Sequence, residues 1–182
     1  MSQLPRIQYT HTGIFCADLD MMVEFYRSKI GFIVSDRGVA STGHRLFFMT
    51  QDPEIHHQLV LFDGKPTGLP FNPINQLSFL LGSLEDLQAY YRKALEFGFA
   101  VDQVDHGNAW SMYFTDPEGN PIEMYVDTPF YTAQPCREPL DLSLPTGDIL
   151  ATTEAMCRRR PGFLTREEWI AATREQIRLQ RA

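Results

Sequence analysis

Two stretches of this chain repeat one another, and a repeat restricts the available folds more than any single motif does. The first runs from His11. His11-Thr-Gly-Ile-Phe-Cys alternates like a strand, Asp18 stands where a helix cap belongs, and Leu19, Met22, Val23, Phe25, Tyr26 and Ile30 follow at helical spacing. Gly31 ends that helix, and strand-like runs follow over 32–34, 46–50 and 57–62. The second stretch has the same grammar. Gln76-Leu-Ser-Phe-Leu-Leu reads as a strand, Ser83 caps a helix through Leu84, Leu87, Tyr90, Tyr91, Ala94 and Leu95, and Gly98 ends it. Strands over 99–101, 110–115 and 121–126 complete it.

A shift of 65 residues pairs His11 with Gln76, Phe25 with Tyr90, Tyr26 with Tyr91, and Thr50 with Thr115. Each half is therefore βαβββ, and the fold class is α+β. Two tandem modules, 6–63 and 74–128, curl their mixed and antiparallel sheets into one concave cleft. The segment between them, with Gly64, Pro66, Gly68, Pro70 and Pro73, is a linker by composition. Strand alternation then sorts the side chains. Thr12, Ile14 and Cys16 face the helix, with His11, Gly13 and Phe15 opposite. In the last strand Ile122, Met124 and Val126 face the helix, with Glu123 and Tyr125 opposite. The 65-residue shift makes Gln58 the counterpart of Glu123. A shift of 64 fits the two Asp-Pro turns and selects Leu59, but a carboxamide suits a polar cavity better. Four polar residues, His11, Gln58, Gln76 and Glu123, are thus expected in the cleft. A one-residue slip would bring His57 there instead.

Charge narrows the partners. Sixteen Lys and Arg against 23 Asp and Glu give a net charge of −7. That excludes sequence-independent nucleic-acid binding and disfavours an anionic membrane. Cys16, Cys136 and Cys157 have no disulfide or zinc spacing and read as buried thiols. Residues 1–6 lack the apolar run of a signal peptide, and no window is apolar enough to span a bilayer. The expected compartment is the cytoplasm.

His11-x6-Asp18-Leu19-x5-Phe25-Tyr26-x4-Gly31-Phe32 resembles the opening of the vicinal oxygen chelate superfamily, and Tyr113-Phe-Thr-Asp-Pro-Glu-Gly-Asn-Pro-Ile-Glu123 resembles its closing strand. The superfamily holds glyoxalases, bleomycin and fosfomycin resistance proteins, epimerases and extradiol ring-cleavage dioxygenases. The resemblance implies a divalent metal held by His11, Gln76 and Glu123, with Gln58 and His57 as further candidates. Fe(II) is the expected ion, with Mn, Zn or Ni as alternatives, or no metal at all. Extradiol enzymes use two histidines and a carboxylate, and here Gln76 stands at the second histidine position. His106-Gly-Asn108 followed by Tyr113 is similar to the pocket of the extradiol branch, which implies His106 and Tyr113 as catalytic groups and Asn108 as a substrate contact. Trp110 and Phe15 are expected to pack, or to line an aromatic-binding cleft. The reading is a metal-dependent dioxygenase-like enzyme acting on a small aromatic substrate. A glyoxalase-like lyase or isomerase, or a metal-free binder of the bleomycin-resistance type, is the alternative. A homodimer is the expected assembly.

Residues 129–182 fall outside the repeat. They read as a proline-rich arm and two helices packing on the core or on a partner subunit. Thr146 is the expected cap of the first helix, and Thr165-Arg-Glu-Glu168 is a capping box before the second. Trp169 and Ile170 are the expected anchors.

Overall fold

The computed structural model describes residues 5, 7–68 and 71–181. Residues 1–4 and 6, Pro70 of the linker, residue 69 and the terminal residue 182 lie outside the described residues. Contacts divide the chain into two units. One is Pro5–Asn75 with the turn Thr115–Asn120; the other is Gln76–Phe114 with the chain from Pro121 onward.

The first unit contains β1 (Thr12–Cys16), α1 (Leu19–Phe25) with a π-helical turn (Tyr26–Ile30), β2 (Ile33–Val39), β3 (Arg45–Thr50) and β4 (Leu59–Asp63). Its sheet runs β1-β4-β3-β2, with β1 and β4 parallel. Asp18 caps α1 by accepting from the Met21 N–H at 3.0 Å, and Gly31 leaves the helix at φ 93°. Ile14 and Cys16 are buried while Gly13 and Phe15 are exposed, as strand alternation requires. Leu19, Met22 and Tyr26 are buried on the helix side, as are Met49, Leu59 and Leu61 on the strands. Each such side chain stabilises the fold by roughly 1.5–3 kcal/mol. Glu118, from the turn belonging to this unit, accepts from the Ala17 and Asp18 N–H groups at 2.7 and 2.9 Å and pairs with Lys65 at 3.0 Å. A carboxylate at the start of α1 also complements the helix dipole.

The second unit opens with β5 (Leu77–Leu80), α2 (Leu84–Glu96), β6 (Asp102–Asp105), β7 (Ala109–Thr115) and β8 (Pro121–Asp127). Ser83 caps α2 by accepting from the Asp86 N–H at 3.1 Å. The C-terminal chain adds β9 (Phe130–Tyr131), β10 (Glu138–Pro139), α3 (Thr146–Arg159), β11 (Leu164–Thr165) and α4 (Arg166–Arg181). β10 extends the main sheet to five strands, β10-β6-β7-β8-β5, and β5 and β8 are parallel. The two mixed sheets and their βαβββ order match the expected fold class.

The two modules do not superpose by one shift throughout. Gly13 pairs with Val60 across β1 and β4, and Ser78 pairs with Glu123 across β5 and β8. The counterpart of Glu123 is therefore Val60, neither Gln58 nor Leu59. The cause is loop length: residues 51–58 join β3 to β4, while only 116–121 separate Thr115 from Ile122, the counterpart of Leu59.

In the C-terminal chain, α3 starts after Pro145 and has no side-chain cap. The Thr146 hydroxyl is turned instead to the Gln88 amide oxygen on α2, at 3.2 Å. The capping box at Thr165 does form: Thr165 N–H donates to Glu168 at 2.7 Å and Glu168 N–H donates back at 3.2 Å. Trp169 stacks on Tyr131 with ring centres 5.7 Å apart, anchoring α4 within its own unit. Among the described residues no helix is long and apolar enough to cross a membrane.

Candidate functional site

Glu123 sits mid-strand in β8 and is 8% exposed. Burying a carboxylate is costly unless its lone pairs are occupied. Here three neutral donors occupy them. Oε2 accepts from the Ser78 hydroxyl at 2.6 Å and from the Gln76 amide at 2.8 Å; Oε1 accepts from the Tyr113 hydroxyl at 2.5 Å. Strand register explains the meeting. Ser78 is the cross-strand partner of Glu123, and Gln76 lies two residues earlier on the same face. None of these partners is a cation, so among the described residues no hydrogen-bonding side chain brings a positive charge to the carboxylate.

Tyr113 continues the chain of contacts to His106, whose Nε2 lies 2.9 Å from the Tyr113 hydroxyl oxygen. His106 Nδ1 meets the Cys136 carbonyl at 2.6 Å. A carbonyl only accepts, so Nδ1 carries a hydrogen toward Cys136. The Tyr113 hydroxyl, which donates to Glu123, lies between the imidazole and the carboxylate and links them in one chain of contacts. Burial and the bonded Glu123 carboxylate push the Tyr113 hydroxyl well above its usual range, so the phenol stays neutral.

The segment 134–137 holds His106 in place. The Gln134 amide donates to the His106 carbonyl at 2.8 Å and to Asn108 Oδ1 at 3.1 Å, and its oxygen accepts from the Cys136 N–H at 3.0 Å. Arg137 places its guanidinium carbon 5.9 Å from the centre of the Tyr113 ring and pairs with Asp102.

Of the residues expected from sequence, Gln76, Glu123, Tyr113 and His106 meet in this unit, with Asn108 tied to His106 through Gln134. Trp110 is on the opposite face of β7, 3% exposed, its indole N–H donating to the Thr153 hydroxyl of α3 at 2.7 Å. In the first unit, His11 is exposed, with its ring centre 4.3 Å from that of half-buried His57 and its Nδ1 3.0 Å from the Thr10 hydroxyl. Burial and the neighbouring His11 and His56 lower the pKa of His57. The Gln58 side chain closes the β3–β4 turn, accepting from Gln51 N–H at 2.9 Å and from the Thr50 hydroxyl at 3.2 Å. Phe15 is 52% exposed and edge-on to Phe62. Sequence reading missed Ser78, Gln134, Cys136 and Arg137. Ser78 was findable by alternation from Gln76; the other three approach from outside the repeat and leave no local signal.

The profile of the Glyoxalase/Bleomycin resistance protein/Dioxygenase superfamily matches residues 8–124, well over half of the chain. The chain belongs to this superfamily. Among curated members it is similar to the catechol-2,3-dioxygenase of Bacillus subtilis (strain 168), 31% identical over 156 residues, covering 81% of this chain and 49% of that protein. It is also similar to biphenyl-2,3-diol 1,2-dioxygenase 2 of Rhodococcus globerulus, 30% identical over 126 residues, with 66% of this chain and 63% of that protein covered. The chain therefore spans about half to five-eighths of the length of these relatives. Two solved structures share the fold. One is a glyoxylase/bleomycin resistance protein/dioxygenase domain from Frankia sp. EAN1pec, with TM-score 0.57, 19% identity, and 68% of this chain and 99% of that chain covered. The other is a fosfomycin resistance protein from Listeria monocytogenes in complex with Mn(II), with TM-score 0.51, 16% identity, and 65% and 91% covered.

Members of the superfamily hold divalent metals, and the donors here bear on that point. Among the described residues no three His, Cys, Asp or Glu side chains are grouped to hold an ion. The sequence-derived set has only two members of that class, His11 and Glu123; its third donor is the Gln76 carboxamide. As placed, Gln76 turns its nitrogen to Glu123. That amide nitrogen donates to the Ser78 hydroxyl oxygen as well, at 2.8 Å. Turned to present its oxygen, Gln76 together with the Glu123 carboxylate would supply two oxygen donors, the ligand type that a hard divalent ion takes.

Proposed function

We propose that this chain is a metal-dependent enzyme of the extradiol dioxygenase type, acting on a small aromatic diol. The observation that carries the reading is the hydrogen-bonded chain His106–Tyr113–Glu123. A diol must lose a proton to bind as a chelating anion. His106, its Nδ1 committed to the Cys136 carbonyl, is the proposed acceptor, reached through the Tyr113 hydroxyl that its Nε2 contacts. Once protonated, Nε2 donates to the Tyr113 oxygen while Tyr113 donates to Glu123, and both contacts become good hydrogen bonds. Tyr113 stays neutral throughout and orients the ring oxygen. Asn108, fixed by Gln134, is the second polar contact for substrate. Gln76 through its oxygen and Glu123 are the metal ligands proposed in this unit. A bound divalent ion would supply Lewis acidity and a template for the diol and a co-substrate. Similarity to catechol and biphenyl-diol dioxygenases supports the substrate class. A homodimer is the assembly proposed with it.

The test is anaerobic loading with Fe(II) or Mn(II), then oxygen uptake and ring-cleavage absorbance with catechol and biphenyl-2,3-diol. Folded, metal-loaded protein that cleaves neither diol would sink the dioxygenase reading. A second reading, a metal-free binder of small aromatics, is favoured by one observation: the Glu123 carboxylate is already satisfied by three neutral donors. Retention of diols by metal-stripped protein without any turnover on metal addition would select it.

A further inference from the structure

Arg137 lies outside the stretch matched by the superfamily profile, and the diol chemistry above makes no use of it. Its backbone is pinned on both sides. Cys136 gives its carbonyl to the His106 ring and its N–H to Gln134, while Glu138 and Pro139 pair with Asp105 and Val104 of β6. The guanidinium reaches over the Tyr113 ring and pairs through Nη2 with Asp102, which is the cross-strand partner of Tyr113. This ion pair is open to water, with side chains 60% and 61% exposed. Exposed pairs of this kind are weak and screened by salt, so Asp102 holds the guanidinium without committing it. Among the described residues the remaining guanidinium nitrogens have no hydrogen-bond partner, and they lie on a planar fork, the geometry that matches a carboxylate with two parallel bonds. On a chain of net charge −7, a group that admits an anion has to be a local one.

We propose that Arg137 is a specificity-determining residue that selects aromatic substrates bearing a carboxylate, receiving it beside Tyr113 in exchange for Asp102. As a statement about substrate class, it rests on the diol reading of the same site. The substrate oxygens address His106 and Tyr113, and the carboxylate at the far side of the ring addresses the fork. Asp102 is then a placeholder that keeps the arginine extended in the free protein and is displaced when an anion arrives.

The experiment measures equilibrium binding to protein loaded anaerobically with Mn(II), by calorimetry at neutral pH and low salt, using two pairs of probes: catechol with its carboxylated form protocatechuate, and benzamide with benzoate. Each charged member is expected to bind about tenfold tighter than its neutral partner. Arg137→Gln is expected to equalise each pair by weakening the charged member, Arg137→Lys to keep part of the preference, and Asp102→Asn to increase it. The outcomes separate this proposal from the diol reading. Catechol binding with no preference for charge overturns the role of Arg137 and leaves the diol reading standing. Arg137-dependent benzoate binding with neither diol bound supports the anion site and removes the diol reading. No binding of any probe, or a preference that survives Arg137→Gln, overturns the proposal. If Arg137→Gln does not fold, Asp102→Asn decides: unchanged affinity for the charged probes counts against it.

Discussion

Gln134 donates one amide group to both the His106 backbone carbonyl and the Asn108 side-chain oxygen, at 2.8 and 3.1 Å. One residue of the C-terminal chain therefore sets the position of two candidate pocket residues. Gln134→Ala is expected to leave the fold intact and to lower kcat/KM on a cleaved diol by about tenfold to a hundredfold, because small displacements of a reacting group are expensive. Steady-state kinetics beside a thermal melt checks this. A Tm loss that accounts for the whole effect would assign Gln134 to stability only.

Tyr113→Phe removes the link between His106 and Glu123 and leaves a buried carboxylate oxygen without its donor. An expected stability loss of about 1–3 kcal/mol follows. With it comes weaker diol binding across the neutral range, since His106 loses the hydroxyl that its Nε2 contacts. Urea melts and binding across the neutral range report the two effects separately.

Gln76→His replaces an oxygen donor by an imidazole nitrogen. The variant is expected to favour Fe(II), Zn(II) or Ni(II) over Mn(II), relative to the parent. Elemental analysis after loading from an equimolar mixture measures the ratio. Glu123→Gln, which removes the only carboxylate of the proposed set, is expected to abolish retention of all of them.

Burial pushes the Cys16 thiol up to about 12 and the Cys157 thiol up to about 11, from an ordinary 9.0. Burial also raises the hydroxyls of Tyr26 and Tyr90. In the unfolded chain these groups ionise near their ordinary values; in the folded chain they do not. The unfolded state therefore loses protons first as pH rises, and stability falls from about pH 9 upward. Denaturant midpoints across that range are expected to decline, and the thiols are expected to resist alkylation at neutral pH until the protein unfolds.

Thr153 bridges a buried carboxylate and an indole: its hydroxyl lies 2.5 Å from Asp105 and 2.7 Å from the Trp110 nitrogen. Thr153→Val keeps the shape and strands both partners. The expected cost is about 2–4 kcal/mol in a urea melt, one unsatisfied buried group at each end.

Much of this architecture was written locally. Asp18 and Ser83 cap their helices because a short side-chain oxygen reaches the third N–H whatever surrounds it, so both starts were legible. Alternation likewise put Glu123 on the face of β8 turned away from the helix. The β4 register was not legible, because it depends on the length of the Gln51–Gln58 connection rather than on residue type. Thr146 failed as a cap for a related reason: its hydroxyl found Gln88 on another helix, a partner 58 residues away. Gln134, Cys136 and Arg137 carry no periodic signal at all. They become meaningful only when the chain beyond the repeat folds back along β6.

The offset between the halves has a practical side for anyone wishing to duplicate the chemistry. An acidic side chain transplanted into the first half at the naive repeat distance would replace Gln58 and undo the turn that side chain closes. The equivalent seat is Val60, opposite Gly13, where the newcomer would lack the counterpart of the Ser78 hydroxyl. A symmetrised first half would need Val60→Glu together with Gly13→Ser to restore that cross-strand donor.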